Sequence, residues 1–150
     1  MTYFTRTEAD NPDFKMLVAL LDDYLAIKDG NQHSFYHQFN QIESLRHVIV
    51  CYIDHIPTGC GAFKEFDSKT VEIKRMFVQP INRGQGIGLA ILKELEKWAS
   101  ELNYAACILE TGKKQAEAIS LYVKAGYTII RNYGQYENID NSICMTRDIF

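Results

Sequence analysis

Residues 71–88 read VEIKRMFVQPINRGQGIG, and they give the strongest indication of architecture in the chain. The first eight residues are rich in β-branched and aromatic side chains and predict a strand that ends before Pro80. Three glycines then alternate with other residues, so the backbone of this turn can approach a ligand closely. Helical spacing follows for the apolar residues Ile87, Ile91, Leu95, Trp98 and Leu102. Because the first amides of a helix lack partners within it, residues 83–88 are predicted to hold an anion such as a pyrophosphate.

Two common phosphate-binding loops do not match this turn. A Walker loop ends in Gly-Lys-Ser/Thr, whereas residues 86–88 read Gly-Ile-Gly. A dinucleotide-binding fingerprint requires Gly or Ala three residues past its second glycine, where this chain has Leu89 or Ile91. The pattern that remains is Arg-x-x-Gly-x-Gly over residues 83–88. On this pattern alone, a glycine-rich turn that binds no ligand is an equally good interpretation.

The composition indicates one compact domain over residues 1–150. The chain is 47% hydrophobic and 23% charged, as expected of a globular domain with a real core. A net charge of −3 argues against a nucleic-acid-binding protein, and no basic run is present. The first residues lack an apolar signal core and no apolar run approaches membrane length, so we expect a cytoplasmic protein with no membrane partner.

The cysteines and histidines do not indicate a metal site. Cys51, Cys60, Cys107 and Cys144 are widely separated and form no CxxC pair, and we expect none of the four histidines to bind a metal. We therefore expect no metal cofactor, and buried free thiols in a reduced compartment.

The predicted element order is β-α-α-β-β-β-α-β-α-β-β, which indicates an α+β (mixed α/β) class with helices flanking a mostly antiparallel sheet. A second helix is predicted over residues 33–42, and a hairpin turn over residues 55–58. In the strand over residues 71–78, simple alternation places Glu72, Lys74, Met76 and Val78 on one face.

Two segments together with this order resemble the GNAT superfamily of N-acetyltransferases across nearly the whole chain. One is the Arg-x-x-Gly-x-Gly turn. The other is residues 118–127, AISLYVKAGY, which resemble the A-x-x-L-Y-x-x-x-G-F/Y segment of the family. The resemblance implies a GNAT fold and acetyl-CoA as co-substrate. It further implies an acyltransferase that moves acetyl to a primary amine by direct attack in a ternary complex.

The resemblance also assigns catalytic roles. Tyr122 would protonate the departing thiolate, and its alternative role is that of a core tyrosine. Glu72 lies six residues before Val78, at the spacing of the base in some relatives, and would accept the proton of the amine. Its alternative is an ion pair with Lys74 or with a cation of a neighbouring strand. Glu110 is the competing carboxylate.

For the cofactor, the resemblance points to backbone groups of Met76, Phe77 and Val78, left unpaired where two central strands splay apart. The turn itself would contribute Arg83, Gly84, Gln85, Gly86, Ile87 and Gly88. Arg83 could bind phosphate or pin the loop through an ion pair. Gln115 stands where many relatives have an Asn that contacts CoA.

The acceptor pocket would be bordered by the first two helices and the last hairpin, which supply Tyr24, Tyr36, Tyr133 and Tyr136, with Glu110 nearby. A small or amino-acid-like amine suits such a pocket. Three alternatives stay open: an acetyltransferase of protein lysines or N-termini, a non-catalytic acyl-CoA-binding module, and an interaction domain without a ligand. A homodimer is a further possibility, since homodimers are common among GNAT proteins.

Overall fold

A computed structural model describes residues 1–29 and 45–149 of the chain. Within these residues one mixed sheet is formed by β1 (Thr2–Thr7), β2 (His47–Ile53), β3 (Ile56–Asp67), β4 (Thr70–Val78), β5 (Ala106–Gly112), β6 (Thr128–Ile130) and β7 (Ser142–Asp148). The helices of the same residues are α1 (Pro12–Asp29), α2 (Ile87–Glu101) and α3 (Ala116–Lys124). The predicted class is confirmed, and so is the predicted order of elements within the described residues. The helix predicted over residues 33–42 lies outside the described residues.

The strand order is β1-β2-β3-β4-β5-β7-β6, and every neighbouring pair is antiparallel except β4 and β5. These two are parallel because α2 carries the chain back across the sheet. Their ladder runs only from Thr70 opposite Ala106 to Glu72 opposite Ile108. Beyond Glu72 the two strands separate. The resulting cleft is the splay that the resemblance implied.

Helices cover both faces of the sheet. The apolar stripe of α2, with Ile91 and Leu95, packs together with Tyr122 of α3 on one face. The stripe of α1 packs on the other face, where Phe14 and Leu17 are fully buried. α1 begins where the sequence predicts, because Oδ1 of Asn11 accepts a hydrogen bond of 3.0 Å from the amide of Phe14. The sheet, with the cleft between β4 and β5, therefore lies between two layers of apolar side chains.

A bulge in β4 changes which side chains share a face. The register has Arg75 and Met76 together opposite Gly61, and the φ angle of Arg75 is +59°. A Cβ at Gly61 would lie 2.5 Å from Sδ of Met76, so a larger residue opposite the bulge would require Met76 to move.

The predicted alternation along β4 is therefore wrong beyond Lys74. Met76 and Val78 pack on the same side as Ile73, whereas Phe77 packs with α1. An extra residue in one strand inverts the alternation of everything that follows it. As a result, Glu72 and Lys74 do not share a face with Met76 and Val78.

The hairpin turn between β2 and β3 is also shorter than predicted. It consists of Asp54 and His55, whose φ angles of +51° and +70° suit a tight two-residue hairpin, and β3 already begins at Ile56. Pro57 is accommodated within β3, where its carbonyl accepts a hydrogen bond of 2.9 Å from Nε2 of Gln79.

All four cysteines are free and buried, as predicted. None of the helices over residues 1–29 and 45–149 has the length and apolarity that crossing a membrane requires.

Candidate active site

A cavity of about 270 Å³ lies between α1, the end of β4 and the N-termini of α2 and α3. Gln85, one of the residues predicted to bind the cofactor, is exposed and does not line this cavity. The others do line it: Met76, Phe77, Val78, Arg83, Gly84, Gly86, Ile87, Gly88 and Gln115.

The glycine turn has the geometry of an anion site. Gly84 and Gly86 both have φ of +80°, and a Cβ built on either would meet no atom within 4 Å. Gly86 is the N-cap of α2 and has no side chain that could cap the helix. The first hydrogen bond back to this residue is donated by the amide of Ala90 to the carbonyl of Gly86, at 3.0 Å. The amides of residues 87–89 precede that bond and lie at the positive end of the helix dipole. Three amide donors at the positive end of a helix dipole suit a diphosphate.

Gly88 has a different structural role. A Cβ at this position would lie 3.2 Å from Cδ2 of Leu121. The absence of a side chain at Gly88 therefore lets α3 pack closely against the first turn of α2. These two helices form adjacent walls of the cavity.

Arg83 makes the contacts of a loop-pinning residue. Its Nε donates a hydrogen bond of 2.9 Å to the carbonyl of Val78, and its Nη1 lies 3.8 Å from Glu117. The guanidinium also lies 5.1 Å from the ring centre of Tyr24 and 5.7 Å from that of Phe77. Tyr24, predicted for the acceptor pocket, thus lies on the side of the glycine turn.

A second cavity, of about 80 Å³, opens where β4 and β5 separate. Glu72 and Glu110 both line it, as does Tyr136 from the loop before β7. The residues that line both cavities are Leu21, Met76, Gln115 and Tyr122. Tyr122 therefore stands where the two cavities meet.

Glu72 is only 3% exposed, and both of its carboxylate oxygens have neighbours. Oε2 accepts a hydrogen bond of 2.7 Å from the hydroxyl of Tyr133. Oε1 lies 3.9 Å from Nζ of Lys74 and 4.0 Å from Nζ of Lys64. Glu72 therefore lies near Lys74, as its alternative interpretation requires, and it also lies in the cleft, where a base could act. Tyr36, the remaining acceptor candidate, lies outside the described residues.

Residues 14–127 match the model of the acetyltransferase (GNAT) family. This chain belongs to the GNAT acetyltransferase family. An IAA acetyltransferase of Azospirillum brasilense is 42% identical over 79 residues, which are 52% of this chain and 52% of that protein. The chain therefore matches only about half the length of that curated relative.

Solved structures share the fold of this GNAT protein, with matches that cover 98% or more of the chain. A Klebsiella pneumoniae protein assigned as an acyl-CoA N-acyltransferase superposes with a TM-score of 0.84 at 25% identity, covering 100% of this chain and 99% of that one. A GNAT family acetyltransferase from Elizabethkingia anophelis, solved with acetyl-CoA bound, superposes with a TM-score of 0.70 at 20% identity, covering 98% and 97%.

Burial governs the ionisation of the polar groups in the cleft of this GNAT domain. Burial, and then the charge of Glu110, raise the pKa of Tyr122. Burial, and then Glu72, raise the pKa of Tyr133. Burial lowers the pKa of Lys74, against the opposing effect of Glu72. Both phenols consequently keep their protons through neutral and mildly alkaline pH.

Sequence reasoning missed some residues of the GNAT cleft. Asn82 and Lys124 line the larger cavity. Lys124 follows Glu117 by seven residues and Leu121 by three, so helical spacing from those residues could have identified it. Arg75 lines the smaller cavity. Its position could not be predicted from the sequence, because the alternation of side chains along β4 does not reveal the bulge that orients it.

Proposed function

We propose that this GNAT protein is an acetyl-CoA-dependent N-acetyltransferase that transfers the acetyl group to the primary amine of a small molecule. The observation that carries the proposal is the junction of the two cavities at Met76, Gln115 and Tyr122. A thioester in the larger cavity and an amine in the smaller one would meet beside a phenol. The family match and the fold shared with an acetyl-CoA-bound acetyltransferase support the same activity.

In this proposal the larger cavity holds CoA. The diphosphate would lie against the amides of residues 87–89, where the open space at Gly84 and Gly86 lets it approach the backbone. The pantetheine arm would follow residues 76–78, whose backbone is not paired with β5. Lys124, at the rim, would add a positive charge near the phosphates.

The chemistry requires a neutral amine, aligned reactants and a proton for the leaving group. The amine nitrogen attacks the thioester carbon, a C–N bond forms, and the C–S bond breaks to release the CoA thiolate. Tyr122 would give its proton to that thiolate. An ordinary phenol has a pKa of about 10 and a thiol about 8.5, and burial raises the pKa of Tyr122 further, so the transfer is uphill. Glu72 would take the proton that the amine loses, directly or through a water molecule.

The size of the acceptor cavity favours a small molecule. Glu72 and Tyr136, which line it, are 3% and 2% exposed, and a volume of about 80 Å³ suits a compact amine. A protein lysine or N-terminus would need an open groove and remains the alternative acceptor. A non-catalytic acyl-CoA-binding module is the alternative that uses the same cofactor site without chemistry.

The test combines binding with turnover. Calorimetry with acetyl-CoA measures the cofactor site, and release of free CoA thiol with a panel of small amines and lysine peptides measures transfer. We expect heat of binding, and thiol release with small amines. Absence of heat would contradict the proposal as a whole. Binding without transfer to any amine would favour the non-catalytic module, and transfer to peptides alone would favour the protein acetyltransferase.

A further inference from the structure

Arg75 is a buried cation beside the acceptor cavity that the proposed mechanism does not use. Its side chain is 1% exposed, and its Nη2 donates a hydrogen bond of 2.5 Å to Oδ1 of Asp22 on α1. The bulge in β4 turns this side chain toward α1. Arg75 also lines the smaller cavity, together with Glu72 and Glu110.

One donor of this guanidinium is unused. Nε of Arg75 is buried and has no hydrogen-bond partner within residues 1–29 and 45–149. A buried N–H of a charged group is costly to leave unsatisfied, so it is expected to bond to a ligand or an ordered water. Because Arg75 is one of the residues that line the smaller cavity, a ligand bound there is the candidate for the missing acceptor.

We propose that the acceptor carries a carboxylate close to its amine and that Arg75 binds this carboxylate through Nε. The acceptor class is then that of the amino acids and related small amino-carboxylates. Its amine would lie toward Glu72 and Glu110, and its carboxylate toward Arg75, so that opposite charges face each other at both ends. This inference rests on the proposed N-acetyltransferase activity.

The experiment compares free amino acids with the corresponding amino acid amides, which keep the amine and lose the negative charge. The quantity measured is the ratio of kcat/KM for the acid to kcat/KM for the amide. Amidation also changes the basicity of the amine, but that effect cancels when one ratio is compared between variants. We expect the wild type to prefer the acid and Arg75→Gln to lower the ratio by about tenfold or more, since a charge-assisted hydrogen bond is lost.

Arg6→Gln is the matched control. It removes an arginine that pairs with Glu101 on the surface, at 2.7 Å, away from both cavities. The ratio should stay at the wild-type value in this variant. A wild type that treats acid and amide alike, or a ratio that survives Arg75→Gln, would overturn the inference. Failure to acetylate any amine would instead contradict the proposed function.

Asp22→Asn separates ligand binding from a structural role of the ion pair. The variant keeps the guanidinium and removes the anion that competes for it, so the ratio of acid to amide should rise. If the pair only held α1 on β4, Asp22→Asn and Arg75→Gln would lower activity toward acid and amide equally. Should Arg75→Gln fail to fold, Asp22→Asn decides alone: a higher ratio supports the inference, and an unchanged or lower ratio overturns it.

Discussion

The hydroxyl of Tyr133 donates a hydrogen bond of 2.7 Å to Oε2 of Glu72, joining residues that are 61 positions apart in the chain. Lys74 and Lys64 lie beside the other oxygen of the same carboxylate. On β5, Glu110 stands two residues beyond Ile108, the register partner of Glu72, and therefore on the same face of the sheet. Two carboxylates thus line one small cavity, one of them held in place by a tyrosine.

These carboxylates can be distinguished by isosteric substitution. We expect Glu72→Gln to lower kcat by about two orders of magnitude, because the base for the amine is lost. Glu110→Gln is the matched control and should keep a kcat close to that of the wild type. A large loss of turnover in Glu110→Gln, with near-normal turnover in Glu72→Gln, would transfer the role of base to Glu110.

Tyr122→Phe tests the proposed acid. The ring of Tyr122 lies edge to face against Tyr127, with centres 6.0 Å apart, and phenylalanine keeps this packing. We expect kcat to fall by about two orders of magnitude, because the thiolate leaves without its proton donor. The dissociation constant of acetyl-CoA, measured by calorimetry, should not change.

The control for this variant is Tyr104→Phe, which removes a phenol that bonds to Glu65 at 2.7 Å on the surface. Its turnover should equal that of the wild type. Equal turnover in Tyr122→Phe would assign Tyr122 to the core alone, which is its alternative role.

Gly86→Ala tests the glycine turn. With φ of +80° and open space around the missing Cβ, alanine adds backbone strain of about 1–2 kcal/mol without a clash, so the domain should still fold. We expect the affinity for acetyl-CoA to fall by about tenfold or more, because the methyl group occupies the space that the diphosphate would use.

Gly134→Ala is its matched control, since Gly134 also has a positive φ, of +52°, and open space at its Cβ. It lies in the loop before β7 and does not line the larger cavity. We expect a similar loss of stability in thermal unfolding and an unchanged dissociation constant for acetyl-CoA. Equal affinity in both variants would contradict the assignment of the turn to the diphosphate.

The sequence was informative where local chemistry determines structure. Residues 71–88 predicted strand, turn and helix correctly, because proline, glycine and helical spacing each act within a few residues. The bulge at Arg75 could not be predicted, since it depends on Gly61 of another strand and on Met76 packing there. The contact between Tyr133 and Glu72 is equally non-local, and only the folded loop brings the two together.

We expect the free energy of unfolding to fall at alkaline pH, because the buried Tyr52 must then ionise. The hydroxyl of Tyr52 donates a hydrogen bond of 2.6 Å to Oδ2 of Asp13, which ties β2 to α1. Burial, and then Asp13, raise the pKa of Tyr52 to about 12, whereas an unfolded tyrosine titrates near 10. The folded state therefore binds the proton more tightly, and the contribution of Tyr52 to stability is complete below about pH 10 and is lost as the pH rises toward 12.

Tyr52→Phe should consequently be less stable than the wild type by about 1 kcal/mol at pH 8, because the bond to Asp13 is lost, and should lose stability less steeply above pH 10. Urea unfolding at pH 8, 9, 10 and 11 measures both effects, and a single proton accounts for a slope of at most about 1.4 kcal/mol per pH unit. Tyr3→Phe is the control, since its ring stacks on Tyr52 at 5.0 Å while its hydroxyl bonds to His55 at an exposed position. Parallel curves for Tyr52→Phe and the wild type above pH 10 would show that Tyr52 ionises as readily in the folded chain as in the unfolded one.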